Sequence, residues 1–441
     1  MANTKLTKTF ASDSNRKTWT WSGWIKRSGL GGIQTLMTQV DGWSGNGNAG
    51  FYIIGDQLTS YNLTASLNSG TDSYNRPSRY LRDVNGFYHI VVRLDTTQST
   101  ASNRCRWYVN GEQLTDFVYA NYPSLNQDCN FNGGDPHGIG SHTTGTGNYF
   151  DGIMSHVHFA DGQSLEPTVF GSTDSTTGEW TININPTFTL GTHGFTILKD
   201  GNTITDQSSN SNDWSLSGGT LTKTEDCPDN VFATWNPLGA LSTPPTFSNG
   251  NTTAAIPNSG GVFRSTLAAS SGKYYCEVKV TSLNAALIGI QPIDSAYNAS
   301  IFSDTSAIGI YGTGGEIYKN GSNLGGVASV TDNDIIGMAI DLDNNNIYFS
   351  KNGQYASGIS GSWNQTFGSA YAVAINSGHT YTIASQNGGS GTSSNISINF
   401  GNGYFATTAV SSAGTNASGN GIFEYDVPTG FTALSTKGLN L

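Results

Sequence analysis

Charged residues are scarce in this chain, 12% of 441, and nowhere do they alternate with apolar residues at helical spacing, so no helix is expected. Only four cysteines occur, Cys105, Cys129, Cys227 and Cys276, and none is in CxxC spacing. That excludes a disulfide-stapled mini-domain or a zinc ribbon, and the four read as reduced, small core residues. No apolar run approaches the roughly 20 residues of a membrane-spanning helix, so membrane insertion is not expected. The N-terminus, MANTKLTKTFASDSN, lacks the apolar centre of a signal peptide, which implies synthesis in a cytoplasm without Sec export. No basic-aromatic nucleic-acid motif is present, and a net charge of -11 repels phosphates, so nucleic acid is not an expected partner.

What is abundant is turn and strand material: 56 Gly, 20 Tyr, 20 Phe and 9 Trp beside many Ser, Thr and Asn. β-Branched, aromatic and turn residues in this proportion indicate an all-β fold. A chain of this length exceeds what one core holds, about 250 to 300 residues, so two tandem antiparallel β-sandwiches are expected. Alternation in TWTWSGWIK puts Trp19, Trp21 and Ile25 on one strand face and Trp24 on the other. Short strands continue to about residue 165 and resume near 262. The intervening 166–255 is richer in Pro and polar stretches and reads as a semi-ordered connector. The expected organisation is therefore a sandwich over 1–165, a connector over 166–255 and a sandwich over 256–441. Charge is uneven: residues 1–110 hold 12 Lys and Arg against 6 Asp, and the rest 8 against 25 acids. A basic first quarter is either a solvated face or a docking face.

One phrase is written twice. HIVVRLD and then RWYVNG, at 89–111, correspond to IIGMAIDLD and then IYFSKNG, at 335–353. An apolar strand, an Asp-led turn and an aromatic strand ending in Asn-Gly describe two successive hairpins, since Asn-Gly supplies the positive φ of a type I′ turn. Asn110-Gly111 and Asn352-Gly353 are thus expected to be turns rather than ligand contacts.

Residues 17–165 resemble the laminin-G-like, concanavalin A-like sandwiches through KTWTWSGWIKRSG, FYHIVVRLDTTQ, RWYVNGEQL and YFDGIMSHVHFADGQSLEP. Residues 262–427 resemble SPRY domains through GKYYCEVKV, LIGI, AIGIYGTGGEIYKNG, DIIGMAIDLDNNNIYFSKNG and NFGNGYF. The order of the two, with EPTVFGSTDSTTGEW, DNVFATWNPL and PTGFTALSTKGLN, is similar to virion proteins of tailed phages from marine bacteria. This resemblance implies a virion location, other virion proteins and a host-surface glycan or protein as partners, and a homo-oligomer on the particle. The position implied is a tail fibre or other appendage; the alternative is a capsid-decoration or linker protein with no host ligand.

Candidate binding residues lie in the loops at the sandwich ends. Trp43, in VDGWSGNGNAG, either stacks on a sugar ring or caps its sandwich. The segment YNRPSRYLR gathers Tyr74, Arg76, Arg79, Tyr80 and Arg82, a set suited to an anionic glycan or a protein neighbour or, equally, to a solvated connection. In the second sandwich the candidates are Tyr297, Tyr311 and Trp363, with Tyr311 also readable as core. His137, His142, His156 and His158 have the chemistry of zinc or nickel ligands, yet their neighbours are those of a packed strand. No cofactor is expected; if calcium binds, Asp41, Asp135 and Asp151 are the candidate donors. Glycosidase chemistry needs two facing carboxylates, and the nearest match, Asp341 and Asp343, sits at the start of a hairpin turn. The chain is therefore expected not to be an enzyme.

Overall fold

The computed structural model describes residues 3–39, 49–61, 74–142, 147–239, 243–258, 261–282, 284–296, 299–388 and 393–441. The fold is all-β; the described helical turns are four three-residue 3-10 segments. The chain divides into two units, Met1–Lys223 and Thr224–Leu441.

In the first unit an eight-stranded antiparallel sheet runs, in spatial order, Phe117–Ala120, Asn75–Pro77, Gln57–Tyr61, Ala49–Ile54, Ile33–Gln39, Pro136–Ile139, Lys5–Thr9 and Ser215–Gly218. A six-stranded sheet runs Phe195–Ile197, Gly152–Asp161, Thr18–Arg27, Tyr88–Asp95, Cys105–Val109 and Glu112–Gln113. Period-two alternation sends Trp19, Trp21, Ile25, Trp107 and Phe159 inward, where they meet Phe51 and Phe131. Cys105 and Cys129 are buried in the same core as free thiols. Trp24 points the other way and stacks on His89, centroids 4.7 Å apart. This outer face is dry because Leu165, Val169, Phe170 and Phe188 cover Val91 and Tyr108.

Residues 166–255, read from the sequence as a semi-ordered connector, are divided between the two units at Lys223/Thr224. Their strand-like pieces find partners far away in sequence. Phe195–Ile197 extends the six-stranded sheet beside Gly152–Asp161, and Ser215–Gly218 extends the other beside Lys5–Thr9. Beyond residue 223 the chain belongs to the second unit: Phe232 bridges to Ser435, Trp235 to Ser265, and Thr253–Ile256 pairs with Ser394–Asn399.

The second unit is again built on two large sheets, with a two-stranded ladder of Tyr404–Phe405 and Thr408–Ala409 beside them. One centres on Ser394–Asn399, Lys273–Ser282, Ile335–Asp341 and Asn346–Lys351; the other is Phe263–Ala269, Tyr381–Asn387, Ala286–Pro292, Ile308–Tyr311, Glu316–Lys319 and Ser322–Gly326. Val278, Ile288, Ile310, Met338, Ile347 and Ile398 lie between them. On the outer side of the first sheet, the C-terminal residues Phe423, Val427 and Phe431 cover Tyr275 and Tyr355. Under this cover Glu277 is fully buried, and its carboxylate accepts the backbone N–H of Glu424 (2.8 Å) and of Tyr425 (2.9 Å) and the Tyr275 hydroxyl (3.1 Å). Burial raises this carboxyl to about 7, against the opposing pull of those donors.

Both copies of the doubled phrase are hairpins ending in Asn-Gly turns, with φ of 50° and 78° at Asn110 and Gly111 and 49° and 79° at Asn352 and Gly353. Each asparagine also closes a two-bond ring with the residue that opens its hairpin. The Asn110 N–H donates to the His89 carbonyl (2.9 Å) and its Oδ1 accepts the His89 N–H (2.8 Å). Asn352 does the same to Ile335, at 2.8 and 2.9 Å. A ring from each unit's covering segment presses on the turn glycine: a Cβ on Gly111 would lie 2.4 Å from Trp180, and one on Gly353 2.6 Å from Tyr425.

Candidate functional site

The segment expected to bind ligand in the first unit lies at one edge of the eight-stranded sheet. Asn75–Pro77 is too short to hold itself and is pinned between Gln57–Tyr61 and Phe117–Ala120, with Ser78 N–H donating to the Asp116 carbonyl at 3.0 Å. The Tyr74 ring stands 5.1 Å from Tyr119, and Tyr119 pairs across the strands with Arg76. Arg76 is half-buried and donates to the Ile54 carbonyl at 3.3 Å. Arg79 pairs with Glu112 at 2.8 Å. Arg82 pairs with Asp56 at 3.3 Å and lays its guanidinium 4.1 Å over the Tyr80 ring.

The segment is therefore less basic than its sequence implies, because two of its arginines are matched by carboxylates. What it presents to solvent is aromatic and apolar: Tyr80 is 50% exposed, Tyr119 53% and Val118 50%. Tyr119 and Val118 were not among the residues singled out by sequence. The signal was there in DFVYANY, where three of seven residues are aromatic, but a four-residue strand flanked by polar residues carries little periodicity.

Beneath this edge Asp56 is shared. Its Oδ1 accepts from Arg27, at 3.1 Å, and from the Gly31 N–H, at 2.6 Å. Arg27 has a fully buried side chain that also donates to the Leu81 carbonyl, while its Nε and Nη2 have no partner among the described residues. Burial pulls the Arg27 guanidinium down from its ordinary range. Burial alone would raise Asp56, but the Gly31 N–H and the two arginines bring it below the usual carboxylate value.

The other candidates are dispersed. Trp43, Tyr297 and Asp41 lie outside the described residues. Trp363 packs against the second unit's core and donates from Nε1 to the Ala328 carbonyl at 3.1 Å. Tyr311 stands half-buried on the outer face of the six-stranded sheet, edge-on to Phe302 and Tyr318.

The histidines are not gathered into one site. His156 and His158 have rings 6.3 Å apart, but His156 Nδ1 is engaged by Ser155 and His158 Nδ1 by Thr196. His137 lies edge-on to Phe10 and Phe131, and His142 contacts Asn148. Among the described residues no group of three or more His, Cys, Asp and Glu is placed to hold a metal ion. Asp135 is exposed, with its carbonyl engaged by His137 Nδ1, and Asp151 sits against Gly29.

A buried Ser22–His89 contact of 2.8 Å has the outline of a nucleophile and base. The opposite ring nitrogen, however, accepts the Trp180 indole N–H at 3.0 Å. The proton of neutral His89 is thus on Nε2 and is donated to Ser22, the reverse of what a base requires. Burial drives His89, and likewise His137 and His158, down to about 3. Asp341 and Asp343 are also occupied. Asp341 binds Lys273 at 2.9 Å and the Asn344 N–H at 3.0 Å, and Asp343 accepts the Gly272 N–H at 2.7 Å.

Residues 3–169 match the Laminin_G_3 family, described as the Concanavalin A-like lectin/glucanases superfamily. The first unit contains a concanavalin A-like domain. The Tyr80 and Phe117–Ala120 edge lies within that concanavalin A-like domain, as do Ser22 and His89. No curated protein matches the chain. Among solved structures it is similar to the SPRY domain of human HERC1, at 16% identity and TM-score 0.30, covering 37% of this chain and 96% of that one. It is also similar to the TRIM65 PSpry domain, at 13% identity and TM-score 0.30, covering 38% and 91%. A heptameric SAP-like pentraxin from Limulus polyphemus is similar at 16% identity and TM-score 0.27, covering 37% and 71%. Among the described residues no helix is long and apolar enough to cross a membrane.

Proposed function

We propose that this chain is a non-enzymatic virion protein of a tailed phage, a tail-fibre or appendage subunit that contacts host-surface glycan or protein through the aromatic edge of its first unit. The observation that carries the binding reading is the half-exposed Tyr80, with Arg82 stacked over it, together with the half-exposed Tyr119 of the edge strand, whose ring meets that of Tyr74. Exposed rings of this kind offer flat apolar faces to sugars or to a partner's side chains. The carboxylate and histidine arrangements that resemble catalytic pairs are taken up by turns and core packing, which supports a binding role over hydrolysis. Each contact is weak by itself, and many copies on a particle raise the avidity.

The test is binding of the purified protein, presented as a multimer, to host cells and to their isolated envelope glycans. Parent protein is expected to bind, and Tyr80→Ala with Tyr119→Ala to lose most of that binding while keeping its thermal transition. No binding of the parent multimer to cells or glycans rejects the reading, and immunogold labelling of particles tests the virion location.

A second reading has its own observation. Among the described residues Phe117–Ala120 is the edge of its sheet, paired on one side only, and Val118 is half-exposed on it. Such an edge also suits a neighbouring virion subunit, as in a decoration or linker protein. Val118→Lys that abolishes incorporation into particles, with host binding of the free multimer intact, favours this alternative.

A further inference from the structure

The outer face of the six-stranded sheet in the second unit carries a cluster with no role so far. Tyr311 ends one strand and Glu316 begins the next, and the two are direct partners across the turn 312–315. Tyr318, two residues on, shares their face. Phe302 completes the group, 4.9 Å from Tyr311 and 4.8 Å from Tyr318, and the two tyrosines are 5.7 Å apart. All three rings are half-buried, so part of each stays open to solvent.

The carboxylate beside them is unsatisfied. Glu316 is half-buried, and its Oε2 is shielded from solvent without a hydrogen-bond partner among the described residues. Among the described residues no lysine, arginine or histidine pairs with it. The turn above leaves room because it is glycine-rich: a Cβ on Gly314 would lie 2.5 Å from Glu316 Oε1. A buried acceptor without a donor is costly to the fold; the other oxygen of the carboxylate, Oε1, is not shielded in this way and is the atom that N–H groups from outside reach.

The rings narrow what brings those groups. Their faces attract positive charge and their edges pack on alkyl chain, whereas an anion is repelled by Glu316. A calcium or magnesium ion needs several oxygen ligands, and one carboxylate supplies too few. We propose that this cluster binds a primary alkylammonium ion, with the N–H donors on Glu316 and the charge and stem against Tyr311, Tyr318 and Phe302. A lysine side chain and a small free amine share this chemistry. The site is independent of the edge proposed above for host contact.

The experiment titrates the full chain with N-acetyl-lysine methylamide, ethanolamine, choline and the neutral isostere N-acetyl-norleucine methylamide, followed by NMR of the tyrosine ring signals. Saturable millimolar binding is expected for the lysine probe, with weaker binding of choline, which has no N–H, and none of the norleucine analogue. Ethanolamine binding as tightly as the lysine probe assigns the site to small amines, and weaker binding assigns it to lysine side chains. Glu316→Gln is expected to weaken binding about tenfold or more without lowering the thermal transition. Tyr318→Phe, which keeps the ring, is expected to bind as the parent does. Absence of saturable binding, equal binding of the norleucine analogue or of choline, or unchanged affinity in Glu316→Gln overturns the proposal.

Discussion

Lowering the pH from about 7 to about 5 is expected to move the two units in opposite directions. In the first unit His89, His137 and His158 are buried and neutral, each held down to about 3 from an ordinary 6.5. Unfolded chain binds a proton at each of them below about 6.5 while folded chain does not, so stability falls with pH. Each histidine then costs about 2 kcal/mol by pH 5, and three cost about 6, at roughly 1.4 kcal/mol per pH unit. In the second unit Glu277 is raised from an ordinary 4.5 to about 7. Between those values the folded state holds a proton that the unfolded state has released, so its contribution to stability grows as pH falls from about 7 to 5. The gain is about 2 to 3 kcal/mol. For units of this size 1 kcal/mol shifts the midpoint by about 2 to 4 °C. Calorimetry should therefore show the first unit's transition dropping by on the order of 10 °C and the second unit's rising by several degrees. Glu277→Gln identifies the second transition: it lowers it at every pH, because the amide N–H₂ must face one of the two backbone donors, Glu424 N–H or Tyr425 N–H, and it removes the rise. Two transitions moving down together, or a rise that persists in Glu277→Gln, refutes the assignment of these groups.

Three further outcomes follow from particular contacts. At position 110, stability should fall in the order Asn, Asp, Gly, Ala: Asp keeps the acceptor for His89 N–H, Gly loses about 1 to 2 kcal/mol with that bond, and Ala adds about 1 kcal/mol of left-handed strain. Hydrogen exchange at the His89 amide should accelerate in the Gly and Ala variants, and equal protection in Asn and Ala would sink the ring-closure argument. Asp56→Ala should destabilise the first unit by about 3 to 5 kcal/mol by leaving Arg27 buried and uncompensated, with part recovered in Asp56→Ala plus Arg27→Met, both read by denaturant melts. Gly353→Ala should cost the second unit about 2 kcal/mol or more, from positive φ and the approach to Tyr425, whereas the half-buried Gly250, with open space at its Cβ, should pay mainly the strain.

The sandwiches were legible where a pattern is local. Alternation at Trp19, Trp21, Ile25 and Trp24 sorted the two faces of a strand correctly, and Asn-Gly marked both hairpins. The boundary was not legible, because Ser215–Gly218 earns its strand only beside Lys5–Thr9, more than 200 residues earlier. The charge of the candidate surface was hidden in the same way. Arg79 and Arg82 look free in YNRPSRYLR, and their partners Glu112 and Asp56 stand 33 and 26 residues off. Trp363 looks exposed in GSWNQ, yet a carbonyl 35 residues away ties its indole. Short-range chemistry shows in a sequence; long-range pairing, which decides what a side chain has left to offer, does not.

The rings seated on Gly111 and Gly353 bear on the order in which each unit assembles. Each hairpin closes over a short loop, 17 residues between Ile335 and Asn352 and 21 between His89 and Asn110, and short loops close early. Trp180 and Tyr425 arrive from about 70 residues downstream, and the bare glycine face on which they rest exists only after the turn has formed. The hairpin is thus a template and the covering segment a late arrival, so an error in the turn should surface kinetically as a slow, exposed intermediate with a complete sheet and an unlatched cover.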